Sequence, residues 1–238
     1  MTTDSRAAWR KRIGFLDVVI AFVLYLVLQV LGVALVLVFG NVEPSSVEET
    51  LLIVAVVALS TLLSVGLTVA LRWGPSFSSI GLRSASWRWL LAGAGIGLLG
   101  WAANVGIGVA YVWLTGDASN PQEPLVNTVQ ESTLQFTFML LLGALVVPLA
   151  EELLFRGILY TWLRRWGVAV AVGVSAIVFG LFHGVSVVLP AAVLLGVLTA
   201  LIYEKSGSIW PAVMAHVANN AIVFAIARVL TEMGTEVS

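Results

Sequence analysis

The chain contains no cysteine, which excludes disulfides and thiolate metal centres. Charge is nearly as scarce. Only 11% of the 238 residues are Asp, Glu, Lys or Arg, against roughly 25% in a soluble domain. The net charge is −1, which argues against a nucleic-acid partner. What fills the sequence instead is apolar: 60% of the residues are hydrophobic and the mean hydropathy is +1.03. One globular core of this size cannot hide so much apolar surface. The expected fold class is therefore all-α, a polytopic transmembrane helical bundle in a lipid bilayer.

Hydropathy reads as seven spans, at about 15–39, 51–71, 89–114, 134–161, 168–187, 189–203 and 209–230. The fifth and sixth are divided only around "HGVSVVLP", so six or eight spans also fit. The opening apolar run of about 25 residues is too long for the typical 7–15-residue core of a signal peptide. It reads as a retained anchor, and residues 1–238 as a single integral-membrane domain. No internal repeat or inverted symmetry is evident, which weakens a transporter reading.

Basic residues alternate with the loops. Arg6, Arg10, Lys11 and Arg12 precede the first span. Arg72, Arg83 and Arg88 lie between the second and third; Arg164 and Arg165 follow the fourth, and Lys205 the sixth. The intervening loops, "GNVEPSSVEET" and "TGDASNPQEPLVNTVQEST", hold acids and no Lys or Arg. The positive-inside rule then places the N-terminus in the cytoplasm and, with seven spans, the C-terminal tail outside. Arginine outnumbers lysine ten to two, a bias that points to a bacterial plasma membrane.

In the third span Gly93, Gly97 and Gly100 recur at near-helical spacing, which reads as close helix packing in lipid. No strand precedes them, so they are no dinucleotide fingerprint. Asn104 in the same span reads as an interhelical hydrogen-bonding residue.

Few ionisable groups lie deep in the spans: Glu151, Glu152, Arg156, His183 and His216. Asp17 and Arg228 sit near span ends, where water serves them. Two mid-span glutamates cost about 2.5–3.5 kcal/mol each on insertion scales, so both are expected to face the bundle interior with partners. Glu152 and Arg156 are i,i+4 and read as an ion pair. Glu151 points about 100° away and is free for another task. Phe179 and His183 share one helical face, as do His216 and Asn220. At about 1.5 Å per residue, counting from the basic ends puts His216, Glu151 and His183 about 12, 18 and 25 Å deep. Tilt, a kink near Pro148 or water access is needed to bring them together, in the cytoplasmic half to the middle of the membrane.

At these residues the sequence resembles the CAAX protease and bacteriocin-processing family of intramembrane proteases (CPBP, or Abi). That family includes the CAAX prenyl endopeptidases that trim prenylated Ras-type proteins. Its three motifs read here as "EELLFR" (Glu151 to Arg156), "FGLFH" (Phe179 to His183) and "HVANN" (His216 to Asn220), in family order on separate apolar helices. The resemblance covers about residues 140–225, and 134–230 is expected to carry the catalytic core.

The resemblance implies an intramembrane endopeptidase acting on a membrane-associated protein or peptide. It makes Glu151 the general base and has His183 hold the water beside it. His216 and Asn220 would donate to the oxyanion. Glu152, Arg156 and Phe179 would be supporting residues, with Arg156 orienting Glu152. Whether the enzyme is a metalloprotease or of glutamate type is open at this point. Glu151, His183 and His216 also make a zinc ligand set, although H-E-x-x-H is absent. Two other readings compete: a non-catalytic scaffold or immunity protein of the same family, and a proton-coupled transporter. The sequence is silent on substrate identity and oligomeric state.

Overall fold

A computed structural model describes residues 13–40, 42–43, 46–73 and 77–234. Arg6, Arg10, Lys11 and Arg12, on which part of the expected orientation rests, lie outside the described residues. Among the described residues all regular structure is helical. In chain order the helices are α1 (Phe15–Phe39), α2 (Val47–Trp73), α3 (Trp87–Thr115), α4 (Glu123–Glu131), α5 (Thr133–Trp166), α6 (Val168–Phe182), α7 (Val188–Ser206) and α8 (Trp210–Glu232), with a 3-10 turn at Phe77–Ile80. Six of them, α1, α2, α3, α5, α7 and α8, are long and apolar enough to cross a membrane. Exposed side chains such as Leu35, Leu99 and Trp113 leave apolar surface for lipid.

The expected fifth span, 168–187, is shorter than hydropathy suggests. Helix α6 has 15 residues, about 22 Å at 1.5 Å per residue, against a hydrocarbon core of about 30 Å. It stops at Phe182 because His183 leaves the helical region (φ −89°, ψ 1°) and Gly184 takes a positive φ of 88°. His183 therefore caps an apolar helix and does not sit within it. Hydropathy cannot register that turn, since "GVSVVLP" continues the apolar run.

Helix α4 falls in a segment read from sequence only as an acidic loop. Its Pro124 stands in the first turn, where a missing N–H costs nothing. Thr128 and Val129 are buried, and Val129 joins an apolar cluster with Val54, Met139 and Phe224. The helix is amphipathic and short, so its mean hydropathy conceals it. Ser132 then ends α4 and caps α5, its Oγ accepting from the Gln135 amide at 3.3 Å.

Contacts between elements show which helix ends meet. At one end Asp17 pairs with Arg72 (2.8 Å), Arg165 donates to the Ile13 carbonyl (2.7 Å), Ser208 donates to the Arg83 carbonyl (2.6 Å) and Arg164 pairs with Glu204 (3.1 Å). The other end carries the α3–α4 loop, helix α4 and the α6–α7 turn. Its Arg228 donates to the Gln130 carbonyl (3.1 Å) and pairs with Glu232 (2.8 Å). The basic clusters of the alternating loops thus share one end of the bundle.

The glycines of α3 do what their spacing suggests. Gly93, Gly97 and Gly100 are buried, and a Cβ at Gly93 or Gly97 would collide with the carbonyl oxygens of Pro211 and Ala215 on α8. Those two backbones touch directly, one residue before His216. Gly97→Val is therefore expected to destabilise the bundle by at least the roughly 1–3 kcal/mol of overpacking, because a rigid backbone cannot yield. Gly106 on the same helix has open space at its Cβ. Thermal unfolding in detergent should show a lowered midpoint for Gly97→Val and little change for Gly106→Val.

Candidate active site

Helix α5 is not a uniform α-helix. It is π-helical over Leu142–Val146 and again over Leu153–Tyr160, on either side of the segment Val147–Glu152 that holds the glutamates. Pro148 explains the first irregularity, since proline has no N–H and clashes with the preceding turn. The Val147 amide bonds to the Leu142 carbonyl, a step of five residues. The next such bond would run from residue 148 to Gly143, and proline cannot make it. The Gly143 carbonyl is left without a backbone donor, and the side-chain amide of Asn220 on α8 takes that place at 3.1 Å. Asn220 Oδ1 in turn accepts from Asn219 (3.2 Å), whose own Oδ1 accepts from Asn104 at 3.4 Å. Asn104 is thus the interhelical residue its position in the span suggests. Asn219 is a link that the motif reading missed. A second polar residue beside Asn220 in an apolar helix was the available signal.

The two glutamates grip one histidine. Glu152 Oε1 lies 3.0 Å from His216 Nδ1, and Glu151 Oε2 lies 3.6 Å from His216 Nε2. A carboxylate paired with an arginine can only accept, so Nδ1 carries a proton toward Glu152. The expected ion pair is present: Arg156 Nε is 3.2 Å from Glu152 Oε2, with both side chains fully buried. Its alignment is too poor for a hydrogen bond, so the attraction is mainly Coulombic. Glu152 consequently does more than neutralise Arg156. It also fixes the ring of His216, a contact between α5 and α8 that i,i+4 spacing within one helix cannot reveal. Glu151 retains 16% side-chain exposure and, among the described residues, has no shorter ion-pair partner.

Arg156 is held on its remaining sides by α6 and α7. Its Nη2 donates to the Gly196 carbonyl at 3.1 Å, and its guanidinium lies 4.6 Å from the centre of the Phe179 ring, a cation–π approach. A Cβ at Gly196 would stand 2.9 Å from Ala176 Cα and 3.3 Å from Arg156 Nη2, so only glycine lets the three helices close here. Phe179 is the hub of the arrangement. Its ring centroid is 4.5 Å from that of His183 and 5.6 Å from that of His216, edge-on to the latter. It therefore touches a residue of each motif, which accounts for a phenylalanine at that place. His183 Nδ1 lies 2.9 Å from the Phe179 carbonyl. A carbonyl can only accept, so Nδ1 holds the proton and Nε2 stays a free acceptor.

These groups line a cavity of about 620 Å³. Glu151, His183, His216, Asn219 and Asn220 all contribute to its wall, as do Asn120, Pro121 and Gln122 of the α3–α4 loop. Glu152 and Arg156 do not line it. The structure so brings together all seven residues singled out in the sequence; Phe179 also lines the cavity, and only Glu152 and Arg156 stand behind its wall. Glu151 lies near the middle of α5. The cavity extends from there toward the end bearing α4, away from the basic end from which depth was counted. The expectation ran from the half nearer the basic residues to the middle; Glu151 keeps to the middle, and the cavity extends beyond it because α5 and α6 are not the straight, full-length spans that residue counting takes them to be.

A zinc ion would need Glu151, His183 and His216 to converge. The donors suit zinc chemically, each histidine having a ring nitrogen not held by a stronger acceptor. Their placement does not suit it: among the described residues no three His, Asp or Glu side chains are grouped closely enough to share a metal ion. As placed, the three residues do not form a metal site.

With this geometry the family comparison can be read. Residues 133–222 match a family model described as type II CAAX prenyl endopeptidase Rce1-like. This segment is similar to that family. The Rce1-like segment contains every site residue from Glu151 to Asn220 and begins where α5 begins. The match covers less than half of the chain and says what this segment is similar to, while the long apolar helices make the chain an integral membrane protein. No curated protein matches the chain. No solved structure matches it either.

Proposed function

We propose that the chain is an intramembrane endopeptidase of glutamate type, cleaving a membrane-associated protein or peptide in the 620 Å³ cavity. One observation carries the reading: two carboxylates address opposite nitrogens of a single buried histidine, and only one of them opens to the cavity. A purely structural pair has no need of the second carboxylate at that position. The whole chain acts as one membrane unit, with residues 134–230 as its catalytic core.

In this reading Glu151 takes a proton from water, and the hydroxide adds to the scissile carbonyl carbon. His183 Nε2, free because Nδ1 serves the Phe179 carbonyl, accepts from the same water and aims it. The carbonyl oxygen becomes an oxyanion, which needs donors placed in advance. Asn220 has one amide hydrogen left after serving Gly143. His216 supplies the other donor when both its nitrogens are protonated. Glu151 then returns its proton to the departing amine as the C–N bond breaks.

The test compares cells expressing wild type and Glu151→Gln at equal membrane levels, by quantitative terminomics. New peptide ends found only with the wild type are the expected result and name the substrate. Identical profiles, with any cellular phenotype kept in the mutant, would leave the scaffold reading in place of the enzyme.

A further inference from the structure

We propose that the substrate reaches this site from the extracytoplasmic face, as a membrane-associated peptide entering between the α3–α4 loop and the α6–α7 turn. The inference rests on the peptidase reading for the word substrate, and on the cavity and the charge distribution for the direction.

The cavity is one-sided. No residue of 62–100, 156–178 or 196–215 lines it, and those stretches contain Arg72, Arg83, Arg88, Arg164, Arg165 and Lys205. Its wall is drawn from the other parts of the same helices: up to Thr61 on α2, Phe155 on α5 and Leu195 on α7, from Trp101 on α3 and His216 on α8, and the end of α6. It reaches the loop residues Asn120 and Pro121, which are exposed. A shallower recess beside them is formed by Ser119, Glu123, Gly184, Val185 and Ser186. Below the catalytic group the passage is blocked. Arg156 and Tyr160 are fully buried there, and Gly196 and Ala176 pack against each other without space for a Cβ.

The charge distribution assigns the two ends. The mouth end carries Glu43, Glu48, Asp117, Glu123 and Glu131, with Arg228 as its cation. Arg228 is already spent on Glu232 and the Gln130 carbonyl. Six Lys or Arg collect at the end away from the mouth, and a bias of that size sets the cytoplasmic side of a polytopic protein. Closed toward the cytoplasm and open away from it, the site admits a chain presented from outside.

The absence of cysteine makes the test direct, because each introduced thiol is the only one in the chain. Ser119→Cys marks the mouth, Val147→Cys the cavity wall one turn before Glu151, and Ser84→Cys the basic end. Each full-length variant is treated with a small, charged, membrane-impermeant methanethiosulfonate, first on intact cells and then on inverted vesicles. Labelling of Ser119→Cys and Val147→Cys in intact cells, with Ser84→Cys reacting only in inverted vesicles, is the expected pattern. Val57→Cys, also on the cavity wall, replaces Val147→Cys if that variant does not accumulate. Labelling of Ser84→Cys in intact cells, or a cavity thiol that reacts only from the Ser84 side or from neither, would overturn the inference. Because no hydrolysis is read, failure of the Glu151→Gln comparison leaves this pattern unaffected, and the two proposals fall separately.

Discussion

Replacing Glu151 by glutamine is expected to lower the rate of peptide hydrolysis by about 10²–10⁴-fold, the usual contribution of a positioned general base, while leaving the fold intact. Glutamine is nearly isosteric and removes only the capacity to take a proton. Among the described residues the ion pair of Glu151 is its 3.6 Å approach to His216, so little structure depends on its charge. Glu152→Gln is expected to behave differently. That change strips the counter-charge from a fully buried Arg156 and weakens the acceptor that orients His216. It should lower both activity and the unfolding midpoint in detergent. Adjacent residues with identical side chains thus predict opposite relations between stability and turnover. Measuring both quantities for both variants decides whether the division of labour is right. Loss of stability in Glu151→Gln, or full activity in that variant, would remove Glu151 from the role of base.

Much of this division was legible in the sequence, and what was missed has a physical reason. Spans α1, α2, α3, α5, α7 and α8 were readable because lipid demands long apolar helices and little else looks like them. The Glu152–Arg156 pair was readable because a helix places i and i+4 together. Convergence of the three motifs was only inferable from cost, since buried carboxylates must find partners somewhere. Contacts between helices were not readable. Nothing in the spacing says that His216 would sit between both glutamates, that Phe179 would bear on Arg156 and both histidines, or that Asn220 would satisfy a carbonyl left over by Pro148. The last case shows the limit well. "Kink near Pro148" is a local expectation, whereas the identity of the donor that repairs it depends on how α8 packs across α5. Helix α4 and the early end of α6 were missed for a simpler reason: each is a short departure that an averaged hydropathy smooths away.

The other large effect concerns the buried pair itself. Arg156→Met is expected to destabilise the protein by about 3–5 kcal/mol, as removal of one member of a buried ion pair does. Three losses coincide in that substitution. Glu152 keeps a negative charge with only His216 to answer it, the Gly196 carbonyl loses its donor, and the Phe179 ring loses the cation above it. The same principle predicts a partial cure. Removing both charges with Glu152→Leu and Arg156→Met leaves no unpaired ion in an apolar setting, and such replacements are often neutral or stabilising. The double variant should therefore melt above Arg156→Met alone, with a coupling energy visible in a double-mutant cycle. Activity should not return with stability, because His216 Nδ1 then has no carboxylate to fix its ring. A double variant that is no more stable than Arg156→Met would mean that packing against Phe179 and Gly196, and not the charge pair, is what Arg156 contributes. A double variant that regains both stability and turnover would detach Glu152 from the orientation of His216. The split between those two readouts separates a glutamate that merely neutralises an arginine from one that aims a histidine.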